Sequence, residues 1–126
     1  MPTRIADARV TTTPNAVMTT LASPTQGGSS ALSMWRVAMD GGQAGPVHRF
    51  DVEQVWHLLD GTATVMIDGE VTNLDAGDTL VLAAGLPRQI RTTSGALFIV
   101  SGDAAGKATP VTDDGAAEPV SPAWML

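Results

Sequence analysis

The chain has 126 residues, thirteen acidic and seven basic side chains, a net charge of −6, no cysteine and an apolar share of 44%. That balance disfavours nonspecific nucleic-acid binding and anionic membranes, and the missing cysteines exclude disulfides, thiolate metal sites and thiol nucleophiles. The length suits a single domain with a real core, and neither a signal-peptide core nor a run of roughly 18 apolar residues is present. A cytoplasmic protein with no nucleic-acid or membrane partner is the expectation.

Glycine and proline recur at short intervals, and the apolar runs between them are short and rich in Val, Leu, Ile, Thr and Met. This pattern predicts an all-β sandwich or barrel of short strands. In chain order the expected strands are 17–22, 31–40, 53–59, 62–68, 70–74, 79–83, 89–93 and 96–101. Residues 23–30, SPTQGGSS, read as a flexible loop, and Gly41-Gly42 through Gly45-Pro46 as a longer connection. Asp60-Gly61 and Asp68-Gly69 read as hairpin dipeptides, because glycine accepts the positive φ of a tight turn. Asp75-Ala76-Gly77-Asp78 reads as another turn, and Ser94-Gly95 as the closure of a last hairpin. From Asp103 onward the composition predicts an extended tail that docks through Trp124 and Met125, on a partner subunit or elsewhere. The expected division is an N-terminal strand and loop over 1–29, a barrel over 30–102 and a tail over 103–126.

Two blocks carry the chemistry: GPVHRFDVEQVWHLLDG from Gly45 to Gly61, and GDTLVLAAGLPRQIRT from Gly77 to Thr92. Their glycine positions and separation resemble the paired motifs of the cupin family, over roughly residues 30–102. The resemblance implies a single-domain jelly-roll barrel, a double-stranded β-helix, that binds a ligand, usually beside a metal ion held by three His and one Glu. Carried onto this chain, the first His is His48, the second falls on Phe50, the Glu on Gln54 and the third His on Arg88. The motif proline is replaced by Ala83, with Pro87 just before Arg88.

One of four family ligands therefore remains. Iron, manganese or zinc sites usually take about three imidazole, carboxylate or thiolate donors. Gln54 offers a neutral amide, and Arg88 is a cation with no lone pair. Strand alternation places Gln54, Trp56 and Leu58 on one face, with Glu53, Val55, His57 and Leu59 on the other, so Glu53 and His57 do not replace the missing donors. The expectation is no metal and no other cofactor; an ion, if present, would be one divalent transition metal near His48.

Without an ion, the inward set is His48, Phe50, Gln54, Trp56, Leu58, Arg88 and Ile90, an apolar, partly aromatic lining with three polar groups. Arg88 is expected to anchor a carboxylate or carbonyl oxygen through its planar fork, His48 to act as general acid or base, and Gln54 to orient the ligand. The bland alternatives are that Arg88 snorkels outward to pair with Asp51 or Glu53, that His48 is structural, and that Phe50 and Trp56 are core packing. Trp35, Val37 and Met39 share one face of their strand and Met34, Arg36 and Ala38 the other; Met34 is taken as a candidate ligand contact, although the sequence does not choose the inner face.

Three functions are compatible with this pattern. The first is a metal-independent isomerase, lyase or cyclase acting on a small carbonyl- or carboxylate-bearing molecule. The second is a non-catalytic binding or accessory barrel, and the third a metal-dependent cupin oxygenase with an atypical ligand set. The family resemblance also implies a homodimer, with Val55, Leu59, the segment 17–22 and the tail as interface material.

Overall fold

The computed structural model describes residues 2–126. Ten strands appear in chain order: β1 (Val10–Thr12), β2 (Val17–Ala22), β3 (Leu32–Met39), β4 (His48–Phe50), β5 (Gln54–Ile67), β6 (Glu70–Asp75), β7 (Thr79–Leu82), β8 (Arg88–Arg91), β9 (Ala96–Asp103) and β10 (Ala108–Pro110). Short 3-10 turns occupy Ile5–Asp7 and Ala123–Met125. All strand pairs are antiparallel and run β1-β2-β3-β9-β5-β8-β4-β10, with β6 and β7 also paired to β5. The result is an all-β barrel, as the strand pattern predicts.

The organising element is β5, which belongs to both halves of the barrel. Its first half pairs with β7 and β9, and its second half with β6 and β8. Asp60-Gly61 is therefore not a hairpin turn, contrary to the sequence expectation. The register against β9 slips between Leu58 and Asp60, so Leu59 is the extra residue of a β-bulge. The slip reverses the alternation: Gln54, Trp56 and Leu58 are buried before it, Ala63 and Val65 after it. Gly61 has φ +84°, and a Cβ there would lie 2.0 Å from the Gly95 carbonyl oxygen. Glycine at this point is what lets one strand turn from one half of the barrel into the other.

Asp68-Gly69 does form the expected hairpin turn between β5 and β6, with φ +48° and +83°. The turn at 75–78 is closed by Asp78 N–H donating to the Asp75 carbonyl at 3.0 Å. Ser94-Gly95 closes no hairpin, since β8 and β9 do not pair with each other but flank β5 on opposite sides. That connection crosses between the halves and is held by Thr92 Oγ1, which donates to the Thr62 carbonyl at 2.7 Å and accepts from Gly95 N–H at 2.9 Å.

The core is one cluster of buried apolar side chains, including Trp35, Val37, Phe50, Trp56, Leu58, Val65, Leu82, Ile90, Phe98, Val100 and Met125. Burial of such side chains stabilises a fold by about 1.5–3 kcal/mol each. Met125 shows how the tail behaves. Its side chain is fully buried, and three hydroxyls hold the surrounding backbone: Thr20 Oγ1 donates to Trp124 O at 2.7 Å, Ser23 Oγ to Leu126 O at 2.6 Å, and Ser33 Oγ to Met125 O. The tail thus docks on its own barrel, and it adds β10 to β4 besides. Ser23, expected within a flexible loop, is buried and closes a tight turn with Gln26.

The bulge generates a specific stability prediction. Gly61→Ala should destabilise by well over about 2 kcal/mol, because it combines positive-φ strain with a backbone clash. Gly69→Ala, at a similar φ but with nothing within 4 Å, should cost only the conformational strain of about 1–2 kcal/mol. Urea denaturation of the two variants checks the order; equal losses would contradict a bulge fixed by close backbone approach.

Candidate functional site

A cavity of about 560 Å³ opens inside the barrel. Its walls come from β2 (Met18), β3 (Trp35, Val37, Met39), β4 (His48, Phe50), β5 (Trp56) and β8 (Ile90), together with 13–16 and 120–124. The period of two explains the contribution of β3: Trp35, Val37 and Met39 face inward, while Met34 is 41% exposed on the outer face. Met34 is therefore not a ligand contact, which corrects the sequence expectation.

Of the other expected site residues, His48, Phe50, Trp56 and Ile90 line the cavity. Leu58, Gln54 and Arg88 are buried but lie behind its wall. Arg88 departs most from expectation. It does not snorkel: it is 1% exposed, and its guanidinium is turned onto its own loop. Arg88 Nε donates to Leu86 O at 3.1 Å and Nη2 to Ala83 O at 2.8 Å. Asp51, a conceivable counter-ion, accepts from Lys107 N–H at 2.7 Å instead. Burial lowers the Arg88 pKa, and the groups that face the charge are the Leu86 and Ala83 carbonyls. Its Cζ stands 5.6 Å from the centroid of the Phe50 ring, and Phe50 lines the cavity. The cation lies under an aromatic floor.

Gln54 belongs to the same buried layer. Its Oε1 accepts from Trp56 Nε1 at 3.0 Å, which satisfies the indole and fixes its ring, while Trp56 meets Phe98 edge to face at 5.1 Å between centroids. Gln54 Nε2 and Arg88 Nη1 are buried without a hydrogen-bond partner. Both side chains hold the floor in place and do not touch the cavity contents.

Among the described residues, His48 is the one titratable side chain on the cavity wall. Its Nδ1 lies 2.8 Å from the Pro46 carbonyl oxygen, so in the neutral ring Nδ1 carries the proton and Nε2 keeps its lone pair. Desolvation pulls its pKa below the usual histidine value; the Pro46 carbonyl opposes this, and the Arg88 charge adds to it. The imidazole is consequently neutral at neutral pH and available as a hydrogen-bond acceptor or base. His57, by contrast, lies on the outer face with Nδ1 2.7 Å from Thr79 Oγ1.

The four positions that carry metal ligands in the resembling family can now be tested as a donor set. His48 is opposite Arg88 in the β4–β8 pair, and Phe50 stacks edge-on against His48 at 5.2 Å between centroids. The set offers one imidazole, a phenyl ring, an amide committed to an indole and a guanidinium. Among the described residues no three His, Cys, Asp or Glu side chains group to hold a metal. These residues do not fit a divalent ion.

Sequence reasoning missed Met18, Trp35, Val37, Met39 and Trp124 as wall residues. Three large apolar side chains on one face of β3 were a usable signal. Nothing local connects Trp124 to the barrel interior; long-range contacts put it there, among them the hydroxyls of Thr20, Ser23, Thr25 and Ser33, the backbone pair Ala108–Val120 and the buried Met125.

The chain belongs to the cupin family: the cupin domain profile matches residues 35–101. No curated protein sequence matches it. Among solved structures it is similar to salicylate 1,2-dioxygenase from Pseudoaminobacter salicylatoxidans in adducts with gentisate, at 21% identity and a TM-score of 0.68 over 76% of this chain and 27% of that one. It is also similar to oxalate decarboxylase from Bacillus subtilis, at 19% identity and a TM-score of 0.69 over 79% of this chain and 28% of that one. A conserved protein of unknown function from Streptococcus pyogenes matches at 21% identity and a TM-score of 0.62, over 73% of this chain and 76% of that one. At these identities the similarity is one of fold. The chain spans little more than a quarter of the length of the two enzymes. No helix among the described residues is long and apolar enough to cross a membrane.

The depressed His48 pKa predicts a pH dependence of stability. The unfolded chain takes up the His48 proton near pH 6.5 and the folded chain resists it, so stability falls as pH drops from about 6.5 toward the folded pKa. Between about pH 7.5 and about pH 5.5 the wild type should lose more stability than His48→Asn. Denaturant midpoints of both proteins at the two pH values measure this, and equal losses would contradict a depressed pKa.

Proposed function

We propose that this cupin barrel binds a small organic molecule without a metal ion and moves a proton on it, in the manner of an isomerase, lyase or cyclase. The observation that carries the reading is the character of the wall: a single neutral imidazole, with Nε2 unprotonated, set among mainly apolar side chains, with Thr13, Asn15 and Ser121 as the other polar ones described. A neutral histidine is the side chain best suited to take and return a proton near neutral pH. His48 Nε2 accepts a proton from a bound carbonyl compound or its enol and hands it back at another atom of the same molecule, so no redox partner is needed. The Arg88 charge beneath Phe50 favours negative charge that develops on the ligand at that moment, without touching it. Apolar walls exclude the water that would compete for the proton.

The donor set at the four family positions supports metal independence. The salicylate dioxygenase and oxalate decarboxylase likenesses bear on the fold, and neither activity is carried to this chain. The protein is also proposed to act in the cytoplasm and as a homodimer, from its composition and from the outward apolar residues Val55 and Leu59, which are 37% and 43% exposed.

Restoring the donors tests the metal reading directly. The triple variant Phe50→His, Gln54→Glu and Arg88→His completes three imidazoles and a carboxylate, and its thermal midpoint should rise when Mn²⁺ or Zn²⁺ is added. The native protein should show no such rise. A metal-dependent stabilisation of the native protein that His48→Ala abolishes would overturn the proposal.

A further inference from the structure

The cavity wall also specifies what kind of molecule enters it. The chain holds three Trp, two Phe and no Tyr, and all three Trp and one Phe line this cavity. Trp35, Phe50, Trp56 and Trp124 arrive there from β3, β4, β5 and the tail, which are far apart in sequence. Aromatic faces and edges surround planar rings more favourably than they surround flexible aliphatic chains, and the thioethers of Met18 and Met39 add polarizable contacts to ring edges. A volume of about 560 Å³ is within the range that encloses a ligand of drug-like size.

Charge narrows the class further. Among the described residues the wall carries no Lys, Arg, Asp or Glu side chain. An ionised carboxylate brought into it would lose its hydration with no cation to meet it, which is costly. Arg88 is not on the wall: its Cζ stands 5.6 Å from the centroid of the Phe50 ring, and two of its nitrogens donate to the Ala83 and Leu86 carbonyls. Of the polar side chains among the described wall residues, Thr13, Asn15, His48 and Ser121, Thr13 Oγ1 already donates to Ala16 O, and His48 alone offers an imidazole lone pair, at Nε2, which a ligand hydroxyl would pair.

We propose that the cavity takes a neutral, planar, ring-rich molecule bearing a phenolic or enolic hydroxyl, which donates its hydrogen bond to His48 Nε2. The inference rests on the metal-free, His48-centred reading above and narrows its ligand to an uncharged aromatic alcohol, in place of a carboxylate anchored by Arg88.

Three matched probes test it by isothermal titration calorimetry at neutral pH with the full chain: 2-naphthol, 2-methylnaphthalene and 2-naphthoate. They share a ring system and differ in a hydroxyl, a methyl and a carboxylate. 2-Naphthol should bind roughly tenfold more tightly than either of the others, the usual scale of one buried hydrogen bond. In His48→Phe, which keeps the wall apolar, the naphthol advantage over 2-methylnaphthalene should disappear while 2-methylnaphthalene binding persists; that persistence also reports a folded cavity. Equal affinities for naphthol and methylnaphthalene in the unaltered protein would overturn the role given to His48. Tightest binding of naphthoate, lost in Arg88→Met, would overturn the neutral class, as would binding of none of the three. Naphthol binding that appears only after a divalent ion is added would sink the metal-free reading instead, so the two failures are distinguishable.

Discussion

The bend in β5 is the constraint on which the rest of the molecule depends. A fourteen-residue strand serves both halves of the barrel because it slips by one residue at Leu59 and turns at Gly61. The close approach of the Gly95 carbonyl leaves no room there for a Cβ. Before the bulge, Gln54, Trp56 and Leu58 point inward; after it, Ala63 and Val65 do. Without that slip, one half of the strand would turn its apolar residues to solvent. The floor of the cavity and the core beneath β6 and β8 thus share a single backbone irregularity.

That floor explains what became of the family's metal positions. The barrel keeps their geometry, with His48 opposite Arg88 and Phe50 beside both. At those positions this chain carries an imidazole, a phenyl ring, an amide and a guanidinium, in a packed layer. Phe50 and Trp56 form the upper surface, and Gln54 and Arg88 lie beneath it, tied to Trp56 and to the 83–86 loop. A buried guanidinium without a carboxylate is tolerable because carbonyl oxygens and an aromatic ring face it. Of the four positions, His48 and Phe50 line the cavity, and His48 does so as a neutral ring.

Much of this was legible in the sequence where a short-range rule governs. Strand β2 runs between the expected bounds, and the inward face of 53–59 follows from alternation, because the bulge comes only after Leu58. Asp60-Gly61 was misread because positive φ serves a bulge as well as a hairpin. The three-residue strands β1, β4 and β10 carry too little periodicity to announce themselves and are defined by pairing with distant segments: β1 with β2, and β4 with both β8 and β10. The direction of Arg88 depends on carbonyls that its own loop presents. The contribution of Trp124 depends on Thr20, Ser23 and Ser33, about a hundred residues earlier in the chain. Neither has a local signature.

The central claim is that an aromatic floor over a guanidinium has replaced an ion in this barrel. Elemental analysis of the protein purified without chelators measures this most directly. The account predicts no iron, manganese, nickel or zinc in stoichiometric amount. One firmly held transition-metal ion per chain, released when His48 is substituted, would contradict it.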